Sequence, residues 1–482
     1  MQKFSYWFGP CIAIMVPFFL FILLKIKPSL DLKISIPIEH FYIVSIVAIL
    51  STIISLAVGV SGSKLRNINV TFLSLAFISL TEIFALHGLS TPGFILDSSH
   101  LPGVAAQLSI LFAVFWLWLS SLPSDHPMVL YISRFQKLLV PVWTIFLVGL
   151  GALAMMFPHL ANIIPVDRDP LKWLITVIVI FLSLNAIFRY MYSYRFTRLP
   201  LQLSIIYSTC WLMVSQFIII LGEVWRLSWW LYHFLLLFSM IMMLIGLIRQ
   251  YASKSSVTMA VKSLFHTNPV ERIEACISPS IKALVVATEA KDEYTAGHNF
   301  RVALFAIKIG EELGVTPDHL RALAQGGVVH DVGKIQVPDQ ILNKPGKLTQ
   351  EERAIIELHS VAGYEMCKRL GFMKEELDII RHHHEKWDGS GYPDRIKGEQ
   401  IPLLARILSV ADVYDALTSS RSYRNAWTNE EAMSLIEEGK NSHFDPKCVD
   451  AWVRVCERDP EVYLYPSKIV VNEEENHSVL QS

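Results

Sequence analysis

The sequence predicts an all-α chain in two parts, an N-terminal polytopic transmembrane helical domain followed by a cytosolic all-helical domain. Three observations carry this. Apolar runs of roughly 17–22 residues, the length a helix needs to cross a hydrocarbon core of about 30 Å, recur through the first half. The composition changes after Arg249, from nearly uncharged to ordinary soluble. Beyond that point apolar residues recur at helical spacing and alternating strand patterns are scarce.

In chain order, the apolar runs lie near 6–24, 41–60, 70–88, 104–121, 138–158, 172–189, 203–221 and 229–248. Eight spans are expected; Pro10 and Pro17 in the first run leave seven as the alternative. That run is too long for a signal peptide, lacks a small-residue cleavage pattern and is followed by further spans, so it reads as a retained helix. Lys64 with Arg66, Arg134 with Lys137, and Arg189, Arg195 and Arg198 mark three loops as cytoplasmic by the positive-inside bias. The loop from Leu89 to Gly103 has no Lys or Arg and should face outside. Lys25, Lys27 and Lys33 run against this orientation. Glu82, His87, Glu223 and His233 lie near span ends. Polar groups at such depth mark functional sites or make ordinary interhelical hydrogen bonds. No broken-helix pair of the transporter kind is evident, and residues 1–250 read as a multi-pass sensory module in a bacterial cytoplasmic membrane.

Residues 251–285 read as a linker ending in a signalling helix. "VERIEACISPSIKALVVATEAKD" has helical spacing from Val270 and suits pairing with its twin in a homodimer, or packing on its own domain. "NFRVALFAIKIGEELG" ends in Gly314, a helix C-cap. "TQEERAIIELHSVAGYEMCKRLG" opens with Thr349 and Glu352 at capping-box spacing. "LLARILSVADVYDAL" and "TNEEAMSLIEEGK" complete the helices, and residues 461–482 form a tail. The formal net charge of -1 offers no basic field for nucleic acid. The six cysteines show no zinc-like spacing and read as reduced packing residues.

His and Asp concentrate between positions 298 and 415. His330-Asp331 is adjacent in "VVHDVGKI", His359 sits in the next helix, His383-His384 opens "HHEKWDGSGYP", and Asp412 follows in "SVADVYDAL". Helix neighbours differ by about 100°, so His330 and Asp331 can meet two metals from one turn, and His383 and His384 can do so from the opposite side. Imidazole and carboxylate donors without thiolate favour Fe, Mn, Zn or Co. Two such ions about 3.5–4 Å apart clamp an in-line displacement at phosphorus.

From about Ala290 to Pro446, "HDVGKI", "HHHEKWDGSGYP" and "ADVYDALTSSRSYR" in this order resemble the HD-GYP subfamily of the HD metal-dependent phosphohydrolases. The resemblance implies that 286–460 is a helical HD-GYP domain hydrolysing cyclic di-GMP to pGpG or GMP at an iron or manganese centre. The alternatives are a cyclic di-GMP receptor of weak activity or a hydrolase of another cyclic dinucleotide. The implied ligands are His330, Asp331, His359, His383, His384 and Asp412. His298 matches a position that ligates a third metal in some members. Those members carry a glutamate one turn earlier, where this chain has Tyr294, so two metals are expected and His298 falls behind the ligands. His382 is an extra histidine outside the ligand set. Lys334 is expected beside the metals on a phosphate or leaving oxygen. Arg421 and Arg424 match positions that bind phosphate or guanine, Tyr392 on its Gly-Pro loop would contact substrate, and Asp415 could orient a ligand histidine.

Overall fold

The computed structural model describes residues 5–459 apart from 66, 93–99, 124–125, 160–165, 167, 255–256, 258–260, 262–263, 265–272, 274–276, 278, 292–296 and 420–425. The chain is all-helical and divides into two compact units, Met1–Thr267 and Asn268–Ser482.

The first unit contains α1 (Ser5–Ile26), α2 (Pro37–Leu65), α3 (Ile68–Leu89), α4 (Leu101–Ser121), the short α5 (Pro127–Ser133), α6 (Gln136–Met156), α7 (Leu171–Thr197), α8 (Pro200–Leu221) and α9 (Leu227–Lys254). Eight of these, all but α5, are long and apolar enough to cross a membrane. α1 runs unbroken through Pro10 and Pro17, so the first run too is a candidate span. α3 packs between α2 and α4, and α8 between α7 and α9, while α9 also meets α2 and α6 rests on α3. α3 is apolar all round and largely enclosed, as a core helix must be. α6 turns nearly all its surface, including Ile145 and Phe146, outward, as a lipid-facing helix does.

Several polar side chains inside this unit are paired across helices or loops. Trp143 donates to Ser79 Oγ at 2.8 Å and Asn69 to the Leu122 carbonyl at 2.7 Å. Asp31 caps the start of α9, accepting from the Ser228 amide and hydroxyl at 2.7 and 2.8 Å. Lys25, one of the lysines opposing the expected orientation, is neutralised by Glu223 at 3.0 Å.

The second unit contains α10 (Pro279–Lys291), α11 (His298–Glu312), α12 (Pro317–Val329), a 3-10 turn (Val332–Gln336), α13 (Asp339–Leu342), α14 (Gln350–Glu357), α15 (His359–Arg369), α16 (Lys374–His382), α17 (Leu403–Thr418), α18 (Asn429–Glu438) and α19 (Pro446–Arg458). α11 is central, packing on α12, α17 and α19. Phe305, Tyr414 and Trp452 from α11, α17 and α19 form a buried aromatic triad with centroids 4.8–5.3 Å apart. Thr349 and Glu352 form the expected capping box, and Gly314 follows α11 with φ +66°. The helix expected from Thr349 to Leu370 breaks at Leu358 into α14 and α15. The His359 ring donates Nδ1–H to the Ile356 carbonyl at 2.7 Å, an acceptor that an unbroken helix would give to Ser360.

Candidate metal centre of the helical domain

Three histidines of the second unit sit at helix ends, and the backbone there sets their chemistry. The last carbonyls of a helix lack intrahelical donors. His330, just past α12, donates Nδ1–H to the Gly327 carbonyl at 2.7 Å, and His383, just past α16, donates to Ile380 at 2.9 Å. His359 opens α15 and makes the same i−3 bond. With Nδ1 committed as donor, each Nε2 is left as a lone pair, the arrangement that metal-ligating histidines use. The three rings converge: His359 and His383 bring their Nε2 atoms to 3.4 Å. His330 Nε2 is buried and has no hydrogen-bond partner among the described residues.

The donor atoms fall into two groups, each within 4.8 Å: Asp331, His359, His383 and His384 in one, and His298, His330 and Asp412 in the other. Asp331 spans both. Its Oδ1 lies 3.4 Å from His359 Nε2, while Oδ2 lies 3.6 Å from His330 Nε2 and 4.0 Å from His298 Nε2. Each group could hold a metal ion, with Asp331 placed between the two. Orphaned Nε2 lone pairs and a thiolate-free N/O donor set suit Fe, Mn, Zn or Co.

Two details differ from the sequence expectation. His383 and His384 fall together in one group, because both lie in the turn just past α16, where the 100° rule lapses. His298 does not stand behind the ligands. It opens α11 with Nε2 3.3 Å from Asp412 Oδ1, inside the second group. Behind it stands Asp415, which accepts from His298 Nδ1 at 2.7 Å and from Arg301 Nε at 2.6 Å.

Burial holds the His359, His383 and His384 imidazoles below their ordinary pKa, His384 at about 3, so they stay in the neutral form that ligates metals. Burial opposes charge on His298 too, but the carboxylates of Asp412 and Asp415 outweigh it and raise its pKa to about 9. Asp331 is buried, yet the Lys334 ammonium, 2.7 Å from Oδ2, and the surrounding imidazoles keep it well below the usual carboxylate range. Lys334 belongs to the 3-10 turn, one residue nearer to Asp331 than to His330 in sequence. Gly333 lets this turn lie against α15: a Cβ there would stand 1.9 Å from the His359 carbonyl oxygen.

The loop after His384 forms one wall. The Tyr392 ring lies 4.8 Å from the His384 ring, and its amide donates to the His384 carbonyl at 3.3 Å. Its glycines act differently. Gly389 takes φ +86°, whereas Gly391 allows close approach, since a Cβ there would meet the Lys386 amide nitrogen at 2.3 Å. His382 points away from the centre and bonds Asp394 at 3.0 Å, beside the two-pronged Arg381–Asp394 pair at 2.7 and 2.8 Å. Glu385, which sequence reasoning passed over, anchors the loop exit by accepting from the amides of Asp394 and Arg395 at 2.7 and 3.0 Å. No local sequence signal marks that role. Arg421, Arg424 and Tyr294 lie outside the described residues.

Two buried His/Asp groups linked through one aspartate, in an all-helical domain, could hold metal ions. The HD domain family model matches residues 284–448. This region is an HD domain of the HD-GYP family, preceded by eight long apolar helices. The chain is 41% identical over 177 residues to the cyclic di-GMP phosphodiesterase response regulator RpfG of Xanthomonas campestris, covering 36% of this chain and 47% of that protein. It is 41% identical over 169 residues to 3'3'-cGAMP-specific phosphodiesterase 2 of Vibrio cholerae, covering 35% and 32%. A cyclic di-GMP phosphodiesterase of Vibrio cholerae is 38% identical over 194 residues, covering 37% and 39%. The chain thus spans a third to a half of the length of these relatives.

Proposed function

We propose that the chain is a multi-pass membrane phosphodiesterase that hydrolyses cyclic di-GMP to pGpG or GMP, with its HD-GYP domain in the cytoplasm and its activity modulated by the membrane unit. The observation that carries the reading is Asp331, whose two oxygens reach two separate histidine groups beside the Tyr392 wall. Asp331, His359, His383 and His384 would hold one ion, and His298, His330 and Asp412 the other, iron or manganese being the expected metals. Bound there, the pair would supply Lewis-acid polarisation of a phosphodiester and an activated water. The chain's own residues do the rest. Lys334, held by Asp331, offers its ammonium to a phosphate oxygen as negative charge develops. Tyr392 presents an aromatic ring edge to the nucleotide, and Asp415 fixes the ring of His298 through Nδ1. Arg421 and Arg424 are assigned to the phosphates or guanine by motif position alone.

A second reading replaces the substrate with 3'3'-cGAMP, on the equal identity to a relative of that specificity. Incubating the metal-loaded full-length chain with both dinucleotides decides between them: a larger kcat/KM for cyclic di-GMP supports the first reading, the reverse order the second. Binding of cyclic di-GMP without cleavage makes the domain a receptor. Pairing of the linker helices would make the chain a homodimer, which mass photometry in detergent checks.

A further inference from the structure

The membrane unit contains a histidine constellation separate from the centre described above. His40 near the start of α2, His87 near the end of α3 and His233 near the start of α9 are all buried. They come from three helices and are 47 to 193 residues apart in sequence. Their Nε2 atoms form a triangle with sides of 3.1 Å for His40–His87, 2.8 Å for His40–His233 and 3.4 Å for His87–His233. Three imidazoles on one tetrahedral ion with metal–nitrogen bonds of about 2.0–2.1 Å would place their nitrogens about 3.3 Å apart. The triangle is thus close to the size that an ion requires.

The outer nitrogens set the protonation. His87 Nδ1 lies 2.8 Å from the Pro102 carbonyl, which can only accept, so this nitrogen carries the proton and Nε2 presents a lone pair. His40 Nδ1 lies 3.0 Å from Thr91 Oγ1, and that hydroxyl faces the His87 carbonyl at 3.4 Å. With the hydroxyl donating to the carbonyl, it accepts from His40 Nδ1–H, and a second lone pair enters the triangle. These are the outer hydrogen bonds that orient metal-binding histidines. Tyr232 OH, 3.2 Å from His87 Nε2, stands at the edge of the triangle.

Aromatic side chains lock the rings in place. His40 stacks on Trp229 at 5.3 Å, His87 on Phe84 at 5.1 Å, and Trp229 and Trp230 meet His233 at 4.5 and 5.4 Å. The loop that carries the chain into α2 is tied to the start of α9 by Asp31 on Ser228 and by the Ile34 amide on the Trp225 carbonyl at 2.6 Å. In the absence of an ion, one proton on His233 Nε2 and the Tyr232 hydroxyl would satisfy the triangle, so an ion competes with a single proton.

We propose that His40, His87 and His233 form a three-imidazole site for a borderline first-row divalent ion, zinc or copper, at the end of the membrane unit where α9 begins. A donor set of imidazoles alone suits these ions over magnesium or calcium, which take oxygen ligands. A haem is excluded, because a porphyrin cannot lie among three nitrogens that approach one another this closely. α9, which carries His233, is the last long helix of the membrane unit in chain order.

The test uses the full-length chain in lipid nanodiscs carrying Asp331→Ala and His383→Ala, which disable the other centre. After chelator stripping, zinc is titrated and metal content is measured per chain. The site predicts about one tightly held equivalent, and zinc X-ray absorption should show a shell of imidazole nitrogens at about 2.0 Å. Copper should quench tryptophan fluorescence through Trp229 and Trp230. Adding His87→Gln or His233→Gln should remove the equivalent and the quenching, with far-UV circular dichroism unchanged. The absorption spectrum needs no further substitution, so a misfolded variant leaves the test intact. No retained zinc, an oxygen-dominated shell, or the same content and quenching in both glutamine variants overturns the site.

Discussion

Gly391→Ala tests how the Gly-Tyr-Pro loop supports the metal centre. The new methyl carbon would lie 2.3 Å from the Lys386 amide nitrogen and 2.6 Å from both Glu385 Cα and the His384 carbonyl oxygen. All three are backbone atoms and cannot rotate away. Contact at about 3.5 Å requires the loop and the His384–Lys386 backbone to part by about 1 Å. Overpacking of this kind costs about 1–3 kcal/mol of stability. The larger effect is positional, because the moving backbone carries His384 and a shift of about 1 Å at a reacting centre lowers rate by roughly 100-fold. The assay is steady-state cyclic di-GMP hydrolysis by the full-length chain, with metal content measured on the same sample. Gly389→Ala is the control: φ +86° makes it strained by about 1–2 kcal/mol, but its nearest neighbour is the Lys397 side chain, away from the ligands. The expected result is a kcat loss of about 100-fold in Gly391→Ala and a few-fold in Gly389→Ala. Equal activities, or wild-type kcat and metal content in Gly391→Ala, would refute the reasoning.

Other perturbations separate the remaining roles. Lys334→Met should lower kcat by about 100- to 1000-fold, the scale for losing one charge-stabilising donor, with metal content unchanged by mass spectrometry. Stripping the metals should abolish hydrolysis and lower the melting temperature of the domain, since a ligand at about 1,000 times its Kd stabilises by about 4 kcal/mol; an unchanged calorimetric transition would argue against two occupied groups. His443, whose carbonyl accepts from the Trp387 amide at 3.0 Å, has a pKa lowered by burial to about 4. The unfolded chain then binds more protons between about pH 6.5 and 4, so stability falls as pH falls through that window. After discounting for partial exposure the loss is roughly 1–2 kcal/mol, and urea melts of His443→Gln against wild type at pH 7 and pH 4.5 should show that difference shrink.

The spans and the metal ligands were legible in the sequence for different reasons. A run of about 20 apolar residues has few alternatives to a spanning helix, and the expected runs lie within or nearly within the eight observed helices, which extend them at their ends. The adjacent and ordered His and Asp residues of the helical domain form a local pattern, and the fold brings the six expected ligand positions, together with His298, into two groups. What stayed hidden depends on distant contacts. The break at Leu358 follows from one side chain reaching a carbonyl three residues back. The place of His298 depends on α17 delivering Asp412 and Asp415 to it. Glu385 is needed only because the loop returns nine and ten residues later. His40 looks like an ordinary polar residue at the edge of an apolar run, until α3 and α9 bring His87 and His233 against it.

The central claim is that the HD-GYP domain cleaves a cyclic dinucleotide at the paired His/Asp groups. Chromatography of cyclic di-GMP after incubation with the iron- or manganese-loaded full-length chain tests it directly, with the Asp331→Asn chain in parallel. Linear pGpG or GMP is expected from the wild-type chain and none from Asp331→Asn. Intact cyclic di-GMP in both samples, with the metals bound, would contradict it.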